Sequence, residues 1–201
     1  MTVALAALKT AYENRENGIT FGGALSPSPT LDGHLTADIV LSEPASADLM
    51  AHADATWGAR NIYGLLLMYA GAAVLAQTKK IAMLMDSSME TEVVASSKGG
   101  EVISYAREIL RALGVPPVGP TLITTDNLAN QRVGSGIGCP TRSIHFLRRY
   151  FSLKQRIASG EVDLRHIPDK EMPADYLTKW IPKEKFDLSL SYAQNLRARP
   201  A

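Results

Sequence analysis

Residues 49–78 read LMAHADATWGARNIYGLLLMYAGAAVLAQT, and the fold class turns on this stretch. It holds three apolar runs of strand length, at 49–57, 62–69 and 72–78, with only short breaks between them. Ala70-Gly71 is a two-residue turn between the second and third runs. Three consecutive strands on such short links form an antiparallel meander.

Downstream, the period changes from strand to helix. Ser87-x-x-Glu90 has the form of a capping box, in which a hydroxyl and a carboxylate satisfy free N–H groups of a first helical turn. Met89, Val93, Ser96, Gly100, Ile103, Leu110 and Leu113 then recur near helical spacing, and Gly114 with Pro116-Pro117 ends the helix. The pair Gly99-Gly100 inside it costs about 1 kcal/mol per residue relative to Ala, a cost that close packing on a sheet offsets. Residues 121–125 form a β-branched strand, and Asp126-Asn127 after it is a good N-cap pair. Gly134, Gly136 and Gly138 make a loop, 141–159 a helix with basic side chains, and 162–167 a strand stopped by Pro168. Pro173 opens a short helix through Trp180, and 182–201 form a last helix with a frayed end. The order βββαβα(α)βα predicts an α/β fold, a mixed sheet with helices against it.

Upstream, residues 2–16 read as a helix ended by Gly18, 19–21 as a short strand, and 22–47 as a loop or tether rich in Gly, Pro, Ser and Asp. The domain boundary therefore falls near residue 48. The expected organisation is an N-terminal helix and tether at 1–47, the main domain at 48–182 and a helical tail at 183–201. The chain is 46% apolar and 20% charged, which suits a packed core. Its one cysteine, Cys139, excludes an internal disulfide and a multi-cysteine zinc site, and fits a reducing compartment. No basic region followed by an apolar run opens the chain, so no signal peptide is expected. The apolar run at 62–76 is shorter than the roughly 20 residues of a membrane span, so no membrane partner is expected. Net charge is +1, yet residues 127–160 hold no acid while carrying Arg132, Arg142, Arg148, Arg149, Lys154 and Arg156. A one-sign segment of this kind serves either as a phosphate-facing surface or as a solvated helix face.

Four carboxylates fall on four different elements: Asp54 in the first strand, Glu92 early in the long helix, Asp126 at the end of the fourth strand, and Asp175 in a late first turn. Singly, each has a structural use. Asp54 can face water at a strand edge, Glu92 and Asp175 can face a helix dipole, and Asp126 can cap a helix. Together they are the hard oxygen donors that Mg2+ prefers, and a pair of such ions about 3.5–4 Å apart is one way to hydrolyse a phosphodiester. Glu90 lies about 200° from Glu92 around the helix, so the two cannot share a role, and Glu90 takes the capping box.

Seven motifs, in order, resemble the RNase H domain of copia-type LTR retrotransposon polyproteins. They are Ala53-Asp54-Ala55-Thr56-Trp57, Arg60-Asn61-Ile62-Tyr63-Gly64, Lys79-Lys80, Ser87-Ser88-Met89-Glu90-Thr91-Glu92-Val93, Thr125-Asp126-Asn127, Arg142-Ser143-Ile144-His145, and Ile167-Pro168 with Ala174-Asp175-Tyr176-Leu177-Thr178-Lys179. The resemblance covers about residues 48–182, and residues 2–21 look like the end of the preceding polymerase region. It implies the RNase H fold, a five-stranded mixed sheet of three antiparallel and two parallel strands flanked by helices. It implies that Asp54, Glu92, Asp126 and Asp175 hold two Mg2+ ions, for which Mn2+ can substitute. It further implies endonucleolytic cleavage of the RNA strand of an RNA/DNA hybrid during reverse transcription, leaving 3′-hydroxyl and 5′-phosphate ends. The polymerase domain of the same polyprotein is the implied partner, and an intracellular particle or the nucleus the implied location.

Arg142, His145, Arg148, Arg149 and Lys154 are the candidates for contact with the hybrid. The chain departs from the family pattern at Thr56, where the family has a second Asp, and at Val93, where it has an aromatic residue. Ser143-Ile144 lacks the family's Lys before His145, and the loop Asp169-Lys170-Glu171-Met172 lacks the His that many cellular and retroviral relatives carry. His166 lies earlier, on a strand, and is read as a packing residue. Two other classes of function remain on the sequence: a catalytically inactive, domesticated module that binds nucleic acid or a protein partner, and a DNA-cleaving or strand-transfer enzyme. The second usually shows three acidic ligands, and the Asp175 motif argues against it.

Overall fold

A computed structural model describes residues 49–134 and 144–195. The expected N-terminal helix, short strand and tether, Cys139, Arg142 and the tip of the tail lie outside these residues. Strands β1 (Leu49–Thr56), β2 (Ile62–Tyr69) and β3 (Ala72–Lys80) form the antiparallel meander. Helix α1 (Ser88–Ala112) follows, then β4 (Thr121–Thr125), α2 (Leu128–Gly134), α3 (Ile144–Ala158), β5 (Val162–His166) and α4 (Lys183–Gln194). The sheet order is β3-β2-β1-β4-β5, with β4 parallel to both β1 and β5. This five-stranded mixed sheet flanked by helices is the RNase H-like fold that the sequence resemblance implies.

The meander closes as its turn residues dictate. Ala70 and Gly71 have φ of 48° and 85°, the left-handed pair that a two-residue hairpin of matching twist requires. Glycine adopts this without strain, whereas Ala70 does so at a steric cost. The strand register carries β3 to Lys80, past the expected end at residue 78, with an irregularity between Leu67 and Met68.

Helix α1 begins as its capping box predicts, with one shift. Ser87 Oγ accepts from Glu90 N at 3.4 Å, but Glu90 Oε2 accepts from Asp86 N at 2.8 Å, one residue before the cap. The glycine pair divides its work. A Cβ on Gly99 would find Leu65 of the sheet at an ordinary 3.5 Å. One on Gly100 would stand 2.8 Å from Arg156 Cδ, so the close packing is against α3 rather than the sheet.

Alternation along β1 sends residues to two faces. Ala51 and Ala53 join Leu65, Ile123, Val94, Ala95, Ile103 and Leu153 in the core beneath α1 and α3. Met50 faces the other way, with Leu66, Met68, Leu122, Met172 and Ala193, so α4 covers the second face. His52 points to that side as well. Its Nδ1 lies 2.6 Å from Thr124 Oγ1 and its Nε2 3.0 Å from Tyr192 OH, which straps α4 to two central strands. Burial pushes its imidazole down to about 3, so it is neutral.

One expected element is absent. Between Pro173 and Trp180 there is a single 3-10 turn, Asp175–Leu177, preceded by another at Asp169–Glu171. The chain leaves helical geometry at Thr178, where φ is −122°. The N–H groups of both Thr178 and Lys179 close on the Asp175 carbonyl at 3.0 Å, and the turn goes no further. Among the described residues, no helix is long and apolar enough to cross a membrane.

Candidate metal centre

Each of the four carboxylates is delivered by a different piece of backbone to the same end of β1 and β4. Asp54, 1% exposed, lies near the end of β1, and Thr178 donates its hydroxyl hydrogen to Oδ2. Glu92, in the second turn of α1, accepts from Ala55 N at 3.1 Å and from Thr125 Oγ1 at 3.4 Å. Asn130 buttresses that turn, donating its amide to the Glu92 carbonyl at 3.2 Å and to Ser96 Oγ at 2.8 Å. Asp126 follows β4 directly, and its carbonyl lies 3.1 Å from His166 Nε2. Asp175, fully buried, starts its 3-10 turn.

These placements decide the structural alternatives. Asn127 does the capping, since its Oδ1 accepts from Asn130 N at 3.1 Å, and Asp126 is left to the centre. Glu92 reaches across to β1 and β4 rather than serving the dipole of its own helix. Asp54 faces no water.

One carboxylate oxygen from each of Asp54, Glu92 and Asp126 lies within 4.8 Å of the other two, and Asp126, Asp169 and Asp175 form a second such group. Asp126 is common to both. No sequence pattern marks Asp169 as a site residue. Its only signal there is a carboxylate directly after the strand-stopping Pro168, six residues before Asp175. Two ammonium groups complete the cluster. Lys179 Nζ stands 3.0 Å from Asp175 Oδ1 and 3.2 Å from Asp169 Oδ1, and Lys185 of α4 pairs with Asp175 Oδ2.

The three carboxyls of the first group, close together and at least partly buried, resist ionisation together. Burial, then the charges of Asp54 and Asp126, push Glu92 up to about 9. Burial and Asp54 push Asp126 up to about 7, and burial raises Asp54 too. At Asp169 burial acts upward, but the hydrogen bond and charge of Lys179 outweigh it and the net shift is downward. Lys179 is itself raised, the charges of Asp54 and Asp175 overcoming its burial. The donor set fits a hard divalent cation: all oxygen, several carboxylates, and within these groups no imidazole or thiolate.

Gly64 explains how the 174–178 turn comes so near. It pairs with Asp54 in register, and a Cβ there would meet Leu177 Cβ at 2.7 Å and Thr178 Cγ2 at 2.9 Å. Gly64→Ala is expected to push this turn away from Asp54, to destabilise the fold by about 1–3 kcal/mol and to weaken cation binding. A melting curve and a Mn2+ titration check it, and wild-type values in both would remove the close-approach argument.

The basic residues are placed less uniformly. The first half of α3 lies beside the start of α1, because Phe146 and Tyr150 pack on Val93. Arg148 is exposed, whereas Arg149 pairs with Glu101 of α1 and Lys154 sits 5.5 Å over the Tyr150 ring. The side chain of His145 lies outside the described residues. Thr56 donates to the Thr178 carbonyl at 3.2 Å, a contact that helps hold the turn.

No family model matches the chain. It is 24% identical over 170 residues to the retrovirus-related Pol polyprotein from transposon TNT 1-94 of Nicotiana tabacum, a match over 85% of this chain. The chain spans 12% of that relative's length. The match bears out the resemblance to retrotransposon polyproteins carried by the seven motifs. Among solved structures, RNase H1 from Halobacterium salinarum is similar with a TM-score of 0.47 and 16% identity, over 64% of this chain and 92% of that one. LC11-RNase H1 in complex with an RNA/DNA hybrid is similar with a TM-score of 0.49 and 13% identity, over the same shares.

Proposed function

We propose that this chain is the ribonuclease H part of a retrotransposon reverse transcriptase, cutting the RNA strand of RNA/DNA hybrids with divalent cations. The observation that carries this reading is the pair of carboxylate groups sharing Asp126. Asp54, Glu92 and Asp126 would hold one cation, and Asp126 with Asp175 and Asp169 the other. Mg2+, with Mn2+ able to substitute, would when bound lower the pKa of an attacking water and neutralise the leaving 3′ oxygen.

The protein's own contribution is position. Asn130, Thr125 and the Ala55 amide hold Glu92, Thr178 holds Asp54, and His166 holds the backbone of Asp126. Arg148 and Lys154, with Arg142 and His145, are the proposed phosphate contacts, and Arg149 joins them only on leaving Glu101. Such contacts weaken as salt rises. RNA would be told from DNA by its 2′-hydroxyls in the minor groove. The polymerase region of the same polyprotein is the proposed partner.

The test is incubation of the chain with a labelled RNA/DNA hybrid, with Mg2+ or with EDTA, beside DNA duplex and free RNA. Cleavage of the hybrid's RNA strand alone, with 3′-hydroxyl ends and only with Mg2+, is the expected result. Hybrid binding with no cleavage would overturn the nuclease and leave the inactive binding module.

A further inference from the structure

Helix α4 takes part in the metal centre, although it lies beyond the motifs of the resemblance. Lys185, in its first turn, is only 17% exposed at its side chain. Its Nζ pairs with Asp175 Oδ2, donates to the Asp169 carbonyl at 2.5 Å and stands 3.6 Å from Asp169 Oδ2. Lys179 is on the other oxygen of Asp175. Both oxygens of a fully buried carboxylate therefore stand beside ammonium groups, Oδ2 hydrogen-bonded to Lys185 and Oδ1 in ion-pair contact with Lys179 without a hydrogen bond. A cation ligated by Asp175 needs one of those oxygens.

The two lysines differ in how they are carried. Lys179 is four residues from Asp175 on the same turn, whereas Lys185 arrives on a separate helix with its own anchors. Phe186 packs edge-on against Tyr176 with ring centres 5.8 Å apart, and Tyr192 bonds His52 at the far end of α4. Lys185 is thus held in place independently of the carboxylates it meets.

The geometry points to Lys185 as a built-in competitor for the second cation position, held over Asp175 and Asp169 by α4 and displaced when a divalent cation enters. This rests on the metal centre proposed above. Removing the ammonium frees Asp175 Oδ2 and removes a like-charge neighbour of the incoming ion.

The experiment is calorimetric titration of MnCl2 into the whole chain as wild type, Lys185→Met and Lys185→Arg, each checked for folding by circular dichroism. Lys185→Met is expected to bind Mn2+ about tenfold more tightly, an ordinary size for coupling between two ligands of one protein. Lys185→Arg keeps the charge and is expected to stay near wild type. Should Lys185→Met fail to fold, Lys185→Gln replaces it, with the same expectation. Affinity unchanged or weakened in the folded neutral variant overturns the competitor role and leaves the metal centre standing. No Mn2+ binding by any variant overturns both.

Discussion

Asp126→Asn is expected to lower cleavage of the hybrid's RNA strand by at least about a hundredfold. Removing a group that only supports a metal ligand typically costs 10–100-fold, so removing the ligand itself sets that as a floor. Asp126 is the residue whose loss matters most because it belongs to both oxygen groups. An asparagine amide keeps one oxygen but loses the charge, and turns N–H donors toward the carboxylates proposed to hold cations. The fold has little reason to change. Asn127 still caps, and the carbonyl that His166 contacts belongs to the backbone. The side chain already sits where burial and Asp54 hold it up to about 7, so a neutral replacement is tolerated in the metal-free protein. Single-turnover cleavage beside hybrid binding checks this, and wild-type cleavage by the folded variant would take Asp126 out of the ligand set.

Glu92→Gln is expected to stabilise the metal-free protein near neutral pH and to abolish part of its stabilisation by cations. The carboxyl of Glu92 rises from 4.5 to about 9 on folding. The protonated form is the one the fold accepts, so the stability it carries is complete below pH 4.5 and is lost as pH rises through about 9. At pH 7 the loss amounts to roughly 3 kcal/mol, at about 1.4 kcal/mol for each pH unit above the unfolded value. Glutamine does not titrate, and its Oε1 still accepts from the Ala55 amide. The gap in stability between variant and wild type in EDTA should therefore be small near pH 4.5 and widen toward pH 9. With Mn2+ the order reverses, because the wild type gains the binding energy of a ligand that the variant lacks. Urea denaturation across this pH range, with and without the cation, measures both effects. Parallel pH curves for the two proteins would show that Glu92 ionises without hindrance in the fold.

Lys185 and Asp169 show why parts of the centre escaped a reading of residues in order. Neither lies in a pattern that spacing or periodicity makes special. Lys185 follows Pro182 in what reads as an ordinary polar helix, and the packing of Phe186 and Ala193 with the bond from Tyr192 to His52 brings it over Asp175. Asp169 lies in a loop, where local rules give a side chain no direction. The turn at Asp175, which the sequence predicts as a helix, differs for a related reason. Pro173 and the acid after it are sound helix-start signals, but tertiary contacts prevail over them: Thr178 donates to Asp54, and the carbonyls of Leu177 and Thr178 accept from Thr78 and Thr56.

Local rules settled much of what depends on neighbours in the chain, the turn at Asp175 excepted. The three strands, the left-handed turn at Ala70-Gly71, the cap at Ser87 and the ends of β4 follow from periodicity, φ preference and hydrogen bonding within a few residues. The seven motifs added the identity of four acids, which spacing by itself did not. What only the tertiary structure decided is which groups share the same few ångströms: that Asp126 joins two clusters, that Asp169 enters one, and that two ammonium groups cover Asp175. Convergence of that kind is set by sheet order and by packing between residues far apart in the chain. Electrostatic coupling depends on distance through space, and a sequence gives distance only along the backbone.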